Sequence, residues 1–291
     1  MKSLLFTIAG LLVAGSVFAA SSTTSTTSTS SGFWSSTVSS TTQSITSLRE
    51  KLKKSPLDLA LIAEINAMKT ENSFQINGTS TSLYLPLSYK LGKNNLALTP
   101  IFSVQNTLRG EERETNSQLT YLRAAWSRGL LNQDKHGINL AGWLGYSQNI
   151  SHETRLGSKS NGDAQVRITV SRDLSKKFSL MTQARYYKMM KRDSAPNTKT
   201  SQGLVLAIGS YSITEKLSAS AGAYGQVNFF NQRSDQYAVY PTVGLGYQAS
   251  PSVSLDLSSD TTLVASNDQS TIVDNWLINS GVCLTVTVLA F

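Results

Sequence analysis

Leu57-Asp58-Leu59-Ala60-Leu61-Ile62-Ala63-Glu64-Ile65-Asn66 has a side-chain period of two. Leu57, Leu59, Leu61, Ala63 and Ile65 form one phase, free of charge from end to end. Asp58, Ala60, Ile62, Glu64 and Asn66 form the other. Successive residues of a β-strand point to opposite faces, so the stretch predicts a strand with one apolar wall and one mixed wall.

The same pattern recurs down the chain. Leu83, Leu85, Leu87, Tyr89 and Leu91 alternate with Ser82, Tyr84, Pro86, Ser88 and Lys90. Ala164, Val166, Ile168 and Val170 alternate with Gln165, Arg167, Thr169 and Ser171. Val239, Val243, Leu245 and Tyr247 share a phase, as do Trp276, Ile278, Val282, Leu284, Val286 and Val288. About twelve segments result, over 57–67, 81–91, 96–106, 117–128, 138–149, 163–172, 178–188, 202–211, 217–229, 237–248, 253–263 and 276–288. The fourth admits two phases, with Leu122, Ala124 and Trp126 outward or with Leu119 and Tyr121 outward. The first is preferred because it sends Arg123 inward. In each segment the apolar phase carries no charge over its middle, as a lipid-facing wall requires, since Lys or Arg at mid-membrane costs about 2–4 kcal/mol.

The connections alternate in length. Gly92–Asn95, Ser175–Lys177, Thr214–Lys216 and Ala249–Ser252 are short; Thr107–Asn116, Ile150–Gly162, Met189–Thr200, Phe230–Gln236 and Val264–Asn275 are long and polar. Short turns on one side and long loops on the other are the asymmetry of a transmembrane barrel. Asp173-Leu-Ser-Lys-Lys-Phe-Ser-Leu180 is echoed by Ser212-Ile-Thr-Glu-Lys-Leu-Ser-Ala219 and by Ala249-Ser-Pro-Ser-Val-Ser-Leu255, an internal repeat whose unit is a hairpin. Aromatic residues fall near segment ends, with Tyr89, Trp126, Phe178, Tyr211 and Tyr247 toward the short turns and Tyr146, Tyr186, Phe229, Tyr237 and Trp276 toward the long loops. Two such belts mark the two membrane interfaces.

Mean hydropathy is −0.14. After the leader no apolar run approaches the ~20 residues that a spanning helix needs. The formal charge of +8 is scattered over loops and alternate strand positions, without the basic stripe of a nucleic-acid surface. The single cysteine, Cys283, cannot close a disulfide within the chain and reads as a small packing residue of the last strand.

The amino terminus reads as a delivery segment. Lys2, an apolar stretch from Leu4 to Val17, and Val17-Phe18-Ala19 make residues 1–19 a cleavable secretory signal. No cysteine follows the cut, which argues against a lipoprotein. Residues 20–46 form a Ser/Thr-rich linker, too polar to bury a core and expected to be disordered. Ser47-Leu48-Arg49-Glu50 matches a capping box, Leu52 follows at helical spacing and Pro56 ends the segment, so residues 47–55 are expected to form a short amphipathic helix. Residues 56–291 make the barrel.

With these features the chain resembles the Gram-negative outer-membrane β-barrels, porin-like in general character. The resemblance implies an all-β, antiparallel, up-and-down transmembrane barrel of about twelve strands. It also implies residence in the outer membrane, contact with lipopolysaccharide and insertion by the barrel-assembly machinery. The terminal Phe291 resembles the C-terminal aromatic read by that machinery, although Thr285 and Thr287 occupy alternate positions that are usually apolar.

The phases also predict the lumen. Lys90, Arg123, Arg167 and Arg185 are its basic residues, with the two last expected as diagonal neighbours; Asp58, Glu64, Asp256 and Asp260 are its acidic ones. Inward Ala60, Ala97, Gly145, Ala207, Gly222, Gly244 and Gly281 suggest open space. The expected function is passive diffusion of ions or small hydrophilic solutes, without cofactor, metal or catalytic residues. Two alternatives stand beside it: a structural or surface-interaction barrel with a filled lumen, and an outer-membrane lipid hydrolase. The hydrolase would need a Ser–His pair, for which the chain offers His136 in a short turn and His152 near Ser151, Ser158, Ser160 and Asn161.

Overall fold

In a computed structural model, residues 56–69, 76–109, 112–191, 198–232, 234–261, 264–265 and 281–289 are described. The expected signal segment 1–19, the expected linker 20–46, the expected helix 47–55, Trp276, Ile278 and Phe291 lie outside them.

Twelve antiparallel walls close into a ring. They are β1 (Leu57–Lys69), β2 (Ile76–Tyr84, resuming as Leu87–Leu91), β3 (Asn94–Arg109), β4 (Glu112–Leu131), β5 (Asn139–Asn149), β6 (Ser160–Asp173), β7 (Phe178–Lys191) and β8 (Lys199–Ser212). The ring continues through β9 (Leu217–Phe230), β10 (Gln236–Ser250), β11 (Val253–Asp260, with Val264–Ala265 beyond it) and β12 (Gly281–Leu289). Each pairs with its neighbours in sequence, and β12 pairs back onto β1 from Ala60↔Leu289 to Asn66↔Cys283. A closed ring leaves no unpaired sheet edge, which is the condition for strands to cross lipid. Many walls run further into the long connections than their alternation suggested. Thr107–Asn116 is mostly ladder, pairing from Thr107↔Glu114 to Arg109↔Glu112.

Two prolines show how the ring tolerates missing donors. Pro86 interrupts β2, yet its carbonyl accepts from Ala60 N at 3.2 Å, and Leu85 N donates to Pro100 O at 3.2 Å. The ladder bends around the break rather than opening.

The phases predicted for the first, second, sixth and tenth segments hold. Leu57, Leu61, Leu87, Leu91, Val166, Ile168, Val243 and Leu245 are exposed on the exterior. Of the belt aromatics, Tyr89, Phe178, Tyr211 and Tyr247 at one level and Tyr146, Tyr186, Phe229 and Tyr237 at the other are exposed as well.

The fourth segment resolves its ambiguity through a bulge. Tyr121 faces Ile101 and Leu119 faces Phe102, so Thr120 is the extra residue. Beyond it Leu122 and Ala124 are exposed outward and Arg123 turns inward, as preferred. Before it Leu119 shares the outward side with Phe102. Both candidate phases are therefore partly right, because an added residue reverses parity.

The repeated short turns share one hydrogen-bond plan. Leu174 N and Ser175 N donate to Phe178 O; Ile213 N and Thr214 N donate to Leu217 O. The Ser175 hydroxyl accepts from Lys177 N and Phe178 N, and Thr214 Oγ1 accepts from Lys216 N and Leu217 N. Each turn then receives the next wall: Ser212 N donates to Lys177 O at 2.7 Å, Gln248 N to Lys216 O at 2.8 Å and Leu289 N to Ser252 O at 2.8 Å. The sequence repeat is thus a structural one.

Two short helices sit at strand ends. In α1 (Gln133–His136), Asn132 caps the start by accepting from Asp134 N, and Gly137, at φ 73°, closes the end. In α2 (His152–Ser158), the Ser151 hydroxyl accepts from Thr154 N.

Candidate functional site: the charged belt of the lumen

Inward positions of the central walls converge on a belt of charge. Glu64 on β1 is 0% exposed. Its carboxylate accepts a hydrogen bond from Tyr84 Oη at 2.8 Å. Across the ladder it faces Thr285 on β12, which in turn faces Asp256 on β11. Asp260, four residues further along β11, accepts from Tyr224 Oη at 2.5 Å. Tyr224 stacks on Tyr240 with ring centroids 4.6 Å apart. Cys283 lies between these acids and is buried, as a packing residue should be.

The arginines occupy the other side of the ring. Arg123 on β4 donates from Nε to Ser147 Oγ at 3.0 Å. Arg167 on β6 donates from Nη2 to Gln165 Oε1 at 2.8 Å and lies 4.5 Å above the Trp143 ring of β5. Arg185 on β7 donates from Nε to Gln183, which is itself held by donation to Thr169 Oγ1 at 2.7 Å. Arg167 and Arg185 are 8% and 3% exposed. They are direct register partners, not diagonal neighbours as expected. Like charges directly opposite destabilise a sheet. The indole face under one guanidinium and the glutamine amides beside both offset part of that repulsion.

Lys90 and Asp58 form an ion pair at 2.5 Å near the short-turn mouth, both partly exposed. All eight charged residues assigned to the lumen from parity thus point inward. They do not make one site: Lys90 and Asp58 pair with each other, while the remaining six form the two facing halves of the belt. β1 and β7 are half a ring apart, and Glu64 lies within electrostatic reach of Arg185.

Inward glycines do not signify open space, contrary to expectation. A Cβ on Gly145 would fall 2.1 Å from the Trp143 ring, one on Gly246 2.7 Å from Asp256 Oδ1, and one on Gly281 2.8 Å from Asp260 Oδ1. Each is a seat over which a neighbour's side chain folds. Ala207 is not inward at all: it pairs with Thr182 and Ala223 on the exterior.

Sequence parity alone left several lumen residues unassigned. Trp143 shares its phase with Gly145, Ser147 and Asn149, so alternation could have placed it. Met181, Leu204, Leu206, Ile208 and Tyr224 form a buried apolar cluster on the inner face of β7–β9. β8 is apolar on both phases, so periodicity there carried no signal.

The histidines stand apart from the belt. His136 ends α1 and His152 opens α2, both exposed. The hydroxyl of Ser151 next to His152 donates to Thr154 Oγ1 at 2.5 Å, and that of Ser158 donates to Thr154 O at 2.6 Å.

The architecture is that of a closed twelve-stranded antiparallel β-barrel with an apolar outer wall and a charged interior. No family model and no curated protein matches the chain. Solved structures that resemble it include the KdgM porin, at 9% identity over 79% of this chain and 98% of that one, with a TM-score of 0.47. A loop-deletion mutant of OmpT, an outer membrane protein of Vibrio cholerae, aligns at 8% identity over 80% and 98%, with a TM-score of 0.43. The outer membrane channel DcaP of Acinetobacter baumannii aligns at 8% identity over 80% and 96%, with a TM-score of 0.33.

Proposed function

We propose that this chain is an outer-membrane channel for passive diffusion of ions or small hydrophilic solutes, with selectivity set at the charged belt. One observation carries the reading: three arginines face three carboxylates across the lumen, with Asp163 beside Arg123 as an acid on the arginine side. Arg123, Arg167 and Arg185 stand on β4, β6 and β7, opposite Glu64, Asp256 and Asp260 on β1 and β11. The Arg123 and Arg167 contacts to Ser147 and Gln165 are neutral, so they orient these two guanidinium groups without cancelling their charge. Rings of charged side chains lining a lumen discriminate among permeating ions. In this reading residues 1–19 direct export, Phe291 serves insertion, and Arg155 and Lys159 beside the outer rim meet anionic lipopolysaccharide.

Purified, folded protein should conduct ions across planar bilayers. Silence over a wide voltage range would remove the channel. It would favour the second reading, a barrel with a filled lumen, for which the burial of Glu64, Leu206 and Thr285 speaks directly. The hydrolase has no comparable support, since the Ser151 and Ser158 hydroxyls bond Thr154.

A further inference from the structure

The geometry points to a discrete oxyanion-binding site at the stacked Arg167 of the lumen, completed by Arg185 and Arg123. Its ligand is a small anion bearing a phosphate, sulfate or carboxylate group. The inference deepens the channel reading in its consequence for transport, but binding itself does not require that the barrel conduct.

The case rests on how each edge of the Arg167 guanidinium is used. One face of the plane is covered by Trp143 at 4.5 Å. Nη2 is anchored to Gln165. Nε–H has no hydrogen-bond partner although the residue is 8% exposed. A buried charged donor left unsatisfied is costly. A planar guanidinium held by its face and one edge offers its remaining in-plane donors in the geometry that oxyanions accept. Arg185 is its direct cross-strand partner, and Arg123 lies within electrostatic reach of both. Two carboxylates also reach this cluster, Asp163 toward Arg123 and Glu64 toward Arg185. Three guanidiniums against two carboxylates leave an excess of positive charge. Tyr187, two residues beyond Arg185, adds a hydroxyl within reach of that arginine.

Trp143 makes the site readable by its own fluorescence. The full chain, folded in detergent micelles, would be titrated with inorganic phosphate and, separately, acetate, against sodium chloride at matched ionic strength. The expected result is a saturable change in tryptophan emission with an oxyanion and none with chloride. Which of the two probes binds distinguishes a phosphate-type from a carboxylate-type ligand. The signal should vanish in Trp143→Phe. Arg167→Gln should weaken binding roughly tenfold or more, the usual cost of a lost charged hydrogen bond. Arg167→Lys should weaken it too, because a lysine keeps the charge but not the planar fork. Should Arg167→Gln fail to fold, Arg185→Gln with Arg167 intact gives the same reading. Equal response to chloride and both oxyanions, wild-type binding in Arg167→Lys, or a full signal in Trp143→Phe would each overturn the site. A protein that binds phosphate but carries no current keeps the site and loses the channel; a conducting protein that binds neither probe does the reverse.

Discussion

Val170→Arg tests the orientation of the whole wall. Val170 belongs to the outward phase of β6 and stands directly across the ladder from the exposed Thr182 of β7. Thr182 lies four residues from Phe178 in one aromatic belt and four from Tyr186 in the other. At ~3.3 Å per residue and a tilt near 45°, that is about 13 Å of strand and about 9 Å of depth to either belt. An arginine midway between the belts should meet the mid-membrane cost of about 2–4 kcal/mol. At 1.4 kcal/mol per decade the folding equilibrium should fall roughly 30- to 700-fold. Leu180→Arg is the internal control. Leu180 is also outward, but only two residues from the start of β7 at Phe178, where the cost should be about 0–1 kcal/mol. Both variants would be folded into phospholipid vesicles and unfolded in guanidinium, followed by tryptophan emission. Equal stability of the two, or a smaller loss for Val170→Arg, would show that this face does not meet a hydrocarbon core.

Three further substitutions probe the interior and the register. Replacing Arg167 and Arg185 together by Glu should move ion preference toward cations, read as a shift of reversal potential in a salt gradient; unchanged potentials would mean that they do not line the path. Glu64→Leu leaves the Tyr84 hydroxyl without its acceptor and should cost about 1–3 kcal/mol in denaturant titration, whereas Glu64→Gln, which keeps an acceptor oxygen, should lose less. Deleting Thr120 removes the bulge residue, so Leu119 stays outward and Tyr121 inward. The deletion should cost only the bond from Ile150 N to Thr120 O, about 0.5–1.5 kcal/mol. Deleting Ala125 instead turns one flank of β4 inside out and should abolish folding, judged by the electrophoretic shift between folded and heated protein.

Much of this fold is legible because a charge-free outer wall enforces parity. Where one face must be free of charge, as along Leu57–Ile65 or Ala164–Val170, period two names both walls at once. Parity also delivered Lys90, Arg123, Arg167, Arg185, Asp58, Glu64, Asp256 and Asp260 to the inside. It failed where its assumption fails. At Thr120 an extra residue reverses the count. On β8 neither Leu204, Leu206 and Ile208 nor Val205 and Ala207 declare a polar side, so Ala207 was placed on the wrong face. Parity is silent about register, which depends on turn length and bulges between two strands, so Arg167 and Arg185 met head-on rather than diagonally. It is also silent about what lies above a glycine. Gly145 reads as a gap in sequence and is a seat for Trp143 in space.

The repeated turn has a consequence for how such a wall can change over generations. Each copy closes its own hairpin with a hydroxyl and offers the same carbonyl, that of Lys177, Lys216 or Ser252, to the incoming end of the next hairpin. Acceptor and donor sit at equivalent places in every copy. A gene segment encoding one whole hairpin could therefore be duplicated or lost, and the new neighbours would still find each other's docking point. The bore would widen or tighten in steps of two strands while the remaining walls kept their register.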